Sequence, residues 1–100
     1  MRITYDPVKR ERTRRERNLD FDDAAEVFAG PTLDDPDERK DYGELRMIPL
    51  GQLGGRAVVV VWTPRGDARH VISMRKANER EKARYAKEIA ARWKRSEEDR

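Results

Sequence analysis

The sequence predicts a small α+β domain: a small antiparallel sheet with helices packed on it, in the order β-α-α-β-β-β-α. Three observations predict it. Residues 56–63 (RAVVVVWT) are apolar at both alternating positions, the pattern of a strand covered on both faces. Short turns at 52–55 and 64–67 flank this run, and connections so short join antiparallel neighbours. Segments with helical spacing and capping signals stand before and after the resulting meander.

Taken in order, residues 3–5 are β-prone and make a first strand. Asp6-Pro7 is a helix start, an N-cap acid followed by proline at the first helical position. The helix over 7–17 has Val8 as almost its only apolar residue, so its ends or a partner must hold it. Asp20 caps a second helix over 21–29, with Phe21, Ala24, Ala25 and Phe28 as its buried stripe, and Gly30-Pro31 stops it. Residues 32–42 read as an acidic loop with room for a short strand. The strand over 43–51 carries Ile48 and Leu50, and Pro49 suits an edge or a strand end. In the strand over 68–75, strict alternation puts His70, Ile72 and Met74 on one face and Arg69, Val71, Ser73 and Arg75 on the other. Asn78 and Glu81 form a capping box for the last helix. Its apolar stripe is Ala86, Ile89, Ala90 and Trp93, and its basic flank is Arg80, Arg84 and Lys87. One domain spans 1–95, and the tail 96–100 is expected to fray.

With 100 residues, 43% of them charged, the core must be small and part of the apolar surface is free for a partner. The net charge of +3 hides a strong asymmetry. Residues 9–17 hold six basic and two acidic side chains, 34–44 six acidic and two basic, and 65–95 eleven basic and four acidic. Basic faces of this kind favour phosphate backbones. The absence of cysteine excludes disulfides, thiol catalysis and thiolate zinc sites, and a single histidine argues against a histidine-based metal site. No cofactor is expected. No apolar run approaches the ~20 residues of a membrane span and no signal-peptide core follows Met1, so the expected location is the cytoplasm.

Arg75 and Arg65, at the end of a strand and in the preceding turn, are the candidate phosphate clamps, because a planar guanidinium holds two phosphate oxygens at once. A surface arginine paired with Glu79 or Glu44 is the competing account of Arg75. Lys76 is a further electrostatic candidate against a solvated lysine. His70 is a candidate acid or base against a packed structural histidine. Glu79 and Glu81 are candidate bases that helix capping also explains, and Tyr85 is a candidate proton donor or stacking group against a half-buried helix tyrosine. Arg46, Arg69, Arg80 and Arg84 supply the surrounding positive surface, with Glu44 beside Arg46. Ser73 lacks a visible histidine–acid partnership and reads as a strand residue.

Ordered blocks carry a family resemblance over roughly residues 3–85. They are Tyr5-Asp6-Pro7-Val8-Lys9, Phe21-Asp22-Asp23-Ala24 with Val27-Phe28, the run GELRMIPLG at 43–51, Thr63-Pro64-Arg65-Gly66-Asp67, and VISMRKA at 71–77 followed by Glu81 and Tyr85. In these the chain resembles the BrnT family of type II toxin–antitoxin ribonucleases. It departs from the family pattern at Thr13, at Glu16-Arg17-Asn18, at Trp62, at His70 where the family has arginine, and at Met74 where it has alanine. The resemblance implies a RelE-like fold and RNA cleavage that blocks translation, and this cleavage is expected to need no divalent metal. It also implies a BrnA-type antitoxin, and a complex with it that represses its own operon by binding operator DNA through the antitoxin. The alternative is a non-catalytic module that binds nucleic acid or docks the antitoxin.

Overall fold

The structure, a computed structural model, describes residues 1–98. Strand β1 (Arg2–Tyr5) leads into helix α1 (Pro7–Arg17), then a single 3-10 turn (Phe21–Asp23) runs into helix α2 (Ala24–Ala29). Strands β2 (Leu33–Pro36), β3 (Met47–Leu53), β4 (Arg56–Arg65) and β5 (Ala68–Lys76) follow, and helix α3 (Glu79–Glu98) closes the order. The α+β class is as expected. The sheet, however, is mixed: it runs β1-β5-β4-β3-β2, with β1 parallel to β5 and every other pair antiparallel. The first strand returns to the meander through a long excursion, which permits parallel pairing. Helix α3 continues to Glu98, past the expected fraying point at Ser96; residues 99–100 lie outside the described residues.

The hairpins follow from their turn residues. Gly54 and Gly55 both have positive φ, 57° and 79°, as a two-residue turn matched to strand twist requires. The β4–β5 turn narrows to Gly66-Asp67, with Gly66 at φ 59°.

Both faces of β4 are covered. Val58 and Val60 pack with Phe21, Ala24, Val27, Val71 and Met74 beneath α2. Val59 packs on the other side with Leu33, Leu50, Ala77 and Tyr85 beneath α3. The expected α2 stripe shifts: Val27 is buried and Ala25 exposed, because the 3-10 turn starts the helix with a different rotation. The expected α3 stripe is only partly used, since Ile89 is half-buried while Ala86, Ala90 and Trp93 are exposed.

Helix α1 buries no residue, yet it is tied down at several points. Asp6 accepts from the Val8 amide at 2.9 Å, and Asn18 ends the helix in the left-handed region. Arg10 holds Asp20 through two hydrogen bonds of 2.8 and 2.9 Å, lies 3.1 Å from Asp22 and sits over the Tyr5 ring. Arg17 donates to the Met74 carbonyl at 2.7 Å, which ties α1 to β5 where β1 no longer covers that strand.

Candidate active site

Helix α3 covers only part of its face of the sheet. Beyond it the strands open into a cleft of about 340 Å³ whose floor is Ile48, Leu50, Val59, Val61 and Ser73. Its rim holds three arginines and two carboxylates: Arg39, Arg75, Arg84, Asp35 and Glu81.

Register decides which side chains reach this face. Between Val61 and Trp62 the β4–β5 pairing shifts: Val61 opposes Ser73, whereas Trp62 opposes Val71. Ile72 is the extra residue of a bulge, and an extra residue reverses the facing of everything before it. Thr63 therefore opposes His70 on the same face as Ser73 and Arg75. The strict alternation expected from sequence, which separated His70 from Arg75, is corrected by this bulge. Arg69 moves the other way. It lies on the opposite face, its guanidinium 4.4 Å from the Trp62 ring centre and 4.7 Å from that of Phe28.

At one end of the face, Arg75 holds both oxygens of Glu81 at 2.8 and 2.9 Å. Glu81 also accepts from the Asn78 amide at 2.9 Å, and Asn78 accepts from the Glu81 amide at 2.8 Å, which completes the capping box. The Arg75 guanidinium holds the Glu81 carboxyl below its usual range, and Glu81 raises Arg75 in turn. Arg84 pairs with Asp35 at 2.9 Å. Arg39 pairs with Asp37 through two 2.8 Å hydrogen bonds, which drive the Asp37 carboxyl well below the carboxylate range. The Asp37 side chain is fully buried, and its amide donates to the Arg46 carbonyl at 2.8 Å, closing the loop between β2 and β3.

The other end is built around His70. Its Nδ1 is 2.9 Å from the Thr4 hydroxyl of β1, and Thr63 beside it donates to the Leu45 carbonyl at 2.6 Å. Burial, and then the charge of Arg65, lower the imidazole below its ordinary value and favour its neutral form. Glu44 stands between Arg46 at 3.5 Å and Arg65 at 3.9 Å. Arg46 lies over Tyr42, 3.8 Å from the ring centre, and its buried Nε makes no hydrogen bond. The 3.5 Å approach to Glu44 is an ion pair too long to count as one. Thr63 and Val59, the partners of His70 and Arg75, are four residues apart on β4, so the two ends are separated by about 13 Å.

The remaining sequence candidates lie elsewhere. Tyr85 is buried in the core and donates its hydroxyl to the Pro31 carbonyl at 2.8 Å. Lys76 lines a separate groove on the far flank of α3. Glu79 is exposed and pairs with Lys82 at 3.1 Å, and Arg80 is exposed without lining the cleft. Sequence reasoning missed Arg39, Asp35 and Asp37. They sit in a segment that reads as an acidic loop, and the Asp-x-Arg spacing at 37–39 was the available signal.

Among the described residues, no group of three His, Cys, Asp or Glu side chains is placed to hold a metal ion, and no helix is long and apolar enough to cross a membrane. Residues 5–81 match the family described as ribonuclease toxin, BrnT, of type II toxin-antitoxin system. The chain belongs to the BrnT family. No curated protein matches it. As a BrnT-family chain it is a type II ribonuclease toxin, and its partner is an antitoxin. The matched region contains the whole of β5 and ends at Glu81, so both members of the Arg75–Glu81 pair fall within it.

Proposed function

We propose that the chain is an endoribonuclease that cleaves RNA without a metal ion, and that the cleft at Arg75 receives the scissile phosphate. The observation that carries this reading is the convergence of Arg75, Arg84 and Arg39 on an uncovered part of the sheet, at the border of a ribonuclease-family match. An incoming phosphate replaces Glu81 on Arg75, which exchanges one bidentate anion for another. The 2′-oxygen attacks phosphorus and the bond to the 5′-oxygen breaks. The proton leaves the 2′-hydroxyl and another is delivered to the 5′-oxygen. Arg75 stabilises the charge that gathers on the phosphoryl oxygens. Arg65 and Arg46 hold the neighbouring backbone at the His70 end, so the sheet face works as an extended track. The donors present support metal independence: the cleft carboxylates Glu81 and Asp35 are each bound to an arginine, and arginines outnumber carboxylates on the rim.

The wider setting belongs to the same proposal. The toxin acts in the cytoplasm and blocks translation. A BrnA-type antitoxin neutralises it, and the pair represses its operon through the antitoxin's contact with operator DNA. The mixed five-stranded sheet is compatible with a RelE-like fold.

A second reading, a module that binds RNA or antitoxin without cutting, is favoured by one observation: all three rim arginines are already paired. The deciding experiment incubates purified chain with RNA in excess EDTA. The expected result is cleavage that falls by about a hundredfold or more in the Arg75→Ala/Arg65→Ala double variant. Undiminished cleavage by that variant removes the assigned roles. A parent that neither cuts RNA nor arrests growth establishes the second reading.

A further inference from the structure

The far flank of α3 carries an open groove of about 840 Å³ that the RNA reading does not use. It runs between α3 and the β3–β4 hairpin, from Tyr85 to Trp93, about 12 Å along the helix axis. Ala86 and Ala90, one turn apart, form a shallow valley in its wall, and Trp93 stands at its end with 67% of its surface exposed. Three cations, Arg56, Lys76 and Lys82, rim it, and among the described residues no carboxylate lines it. Lys82 also pairs with Glu79, which is almost fully exposed.

We propose that this groove anchors an amphipathic helix of the antitoxin, with apolar residues against Ala86, Ala90 and Trp93 and acidic residues against the three cations. Alanines at i and i+4 let a second helix approach to the short interaxial distance that helix pairs use, while an exposed tryptophan gives such a contact its anchor. The rim charge selects an acidic partner and orients it. RNA fits this surface poorly because the lining is largely apolar. Glu81 and Arg84 project from the opposite flank of α3 into the cleft. An anchored antitoxin is therefore held next to the cleft without occupying it, and blocks it with a further segment. This inference rests on the toxin reading for its partner.

The test uses the full chain and the purified antitoxin encoded beside its own gene. Trp93→Ala, Ala86→Glu and Lys82→Glu change exposed positions, and melting curves and circular dichroism confirm that each folds. Each is expected to weaken antitoxin binding by about tenfold or more while RNA cleavage by the free toxin stays at the parent level. Added salt weakens the parent complex more than the Lys82→Glu complex. Unchanged antitoxin affinity in all three variants overturns the proposal. So does a change in RNA binding in Trp93→Ala, or a dimer of the free chain that Trp93→Ala dissociates while antitoxin affinity is kept. A parent that binds antitoxin through the groove and cuts no RNA defeats the ribonuclease mechanism and leaves the docking site standing. Cleavage with groove-independent antitoxin binding does the reverse.

Discussion

Arg75 and Glu81 face each other across the junction of β5 and α3, six residues apart, through paired hydrogen bonds of 2.8 and 2.9 Å. Because Glu81 also closes the capping box with Asn78, one carboxylate fixes the helix start and occupies the cleft's principal cation. Glu81→Gln separates these duties. Glutamine still accepts from the Asn78 amide, but it no longer neutralises Arg75. The variant should lose less than about 1 kcal/mol of stability, since the pair is partly solvent-exposed. It should bind single-stranded RNA more tightly, because no carboxylate then competes with the phosphate for Arg75. Affinities of parent and variant measured at one salt concentration check this. An unchanged affinity would mean that Arg75 meets no phosphate.

Acid should weaken the fold in two stages. His70 is lowered by burial, so below about pH 6.5 the unfolded chain takes up a proton that the folded chain resists. Asp37, Asp20 and Glu81 are lowered mainly by Arg39, Arg10 and Arg75, so below about pH 4 the unfolded chain again binds more protons. In both ranges the unfolded state binds the excess, and stability falls as pH falls. At the alkaline end Tyr5, raised by its hydrogen bond to Asp22, and Tyr85, raised by burial, reverse the sign. Their share of stability is complete below about pH 10 and is lost as pH rises further. Denaturant titrations from pH 3 to 11 measure all three limbs, and His70→Gln should remove the one that begins near pH 6.5.

Val27 of α2 packs directly against Gly51 of β3. A Cβ there would meet Val27 Cγ1 at 2.8 Å and Thr32 Cγ2 at 3.0 Å. Gly51→Ala should cost about 1–3 kcal/mol through overpacking, read as a lower denaturation midpoint.

Helix α1 should respond to salt more than any other element. Nothing buries it, and Arg10 carries its main attachments to Asp20 and Asp22. Arg10→Ala should lower the local stability of 7–17 by up to about 1 kcal/mol, raising amide exchange there about fivefold with little change in β4. High salt should move the parent in the same direction.

The architecture was legible wherever a local signal sufficed. The run 56–63, its two turns, the Asp6 and Asn78 caps and the α+β class all stand in the structure as the residues indicate. The site was less legible because it depends on register. No residue near Ile72 announces a bulge, yet the bulge decides that His70 joins Arg75 and that Arg69 leaves it. The parallel pairing of β1 and the Arg39–Asp37 hook are likewise non-local or hidden by composition. For Tyr85 packing was already the commoner case beside chemistry, and its burial and its bond to Pro31 agree with packing.

The parallel pairing of β1 with β5 has a consequence for the chain's birth. Thr4 must wait for His70, 66 residues later, before either finds its partner. Synthesis proceeds from the N-terminus, and a closure this distant is slow to form. A nascent chain still on the ribosome therefore has neither its edge strand nor its arginine-rich cleft. The cleft is complete only once both β5 and α3 have emerged, since Arg75 comes from the one and Arg84 from the other.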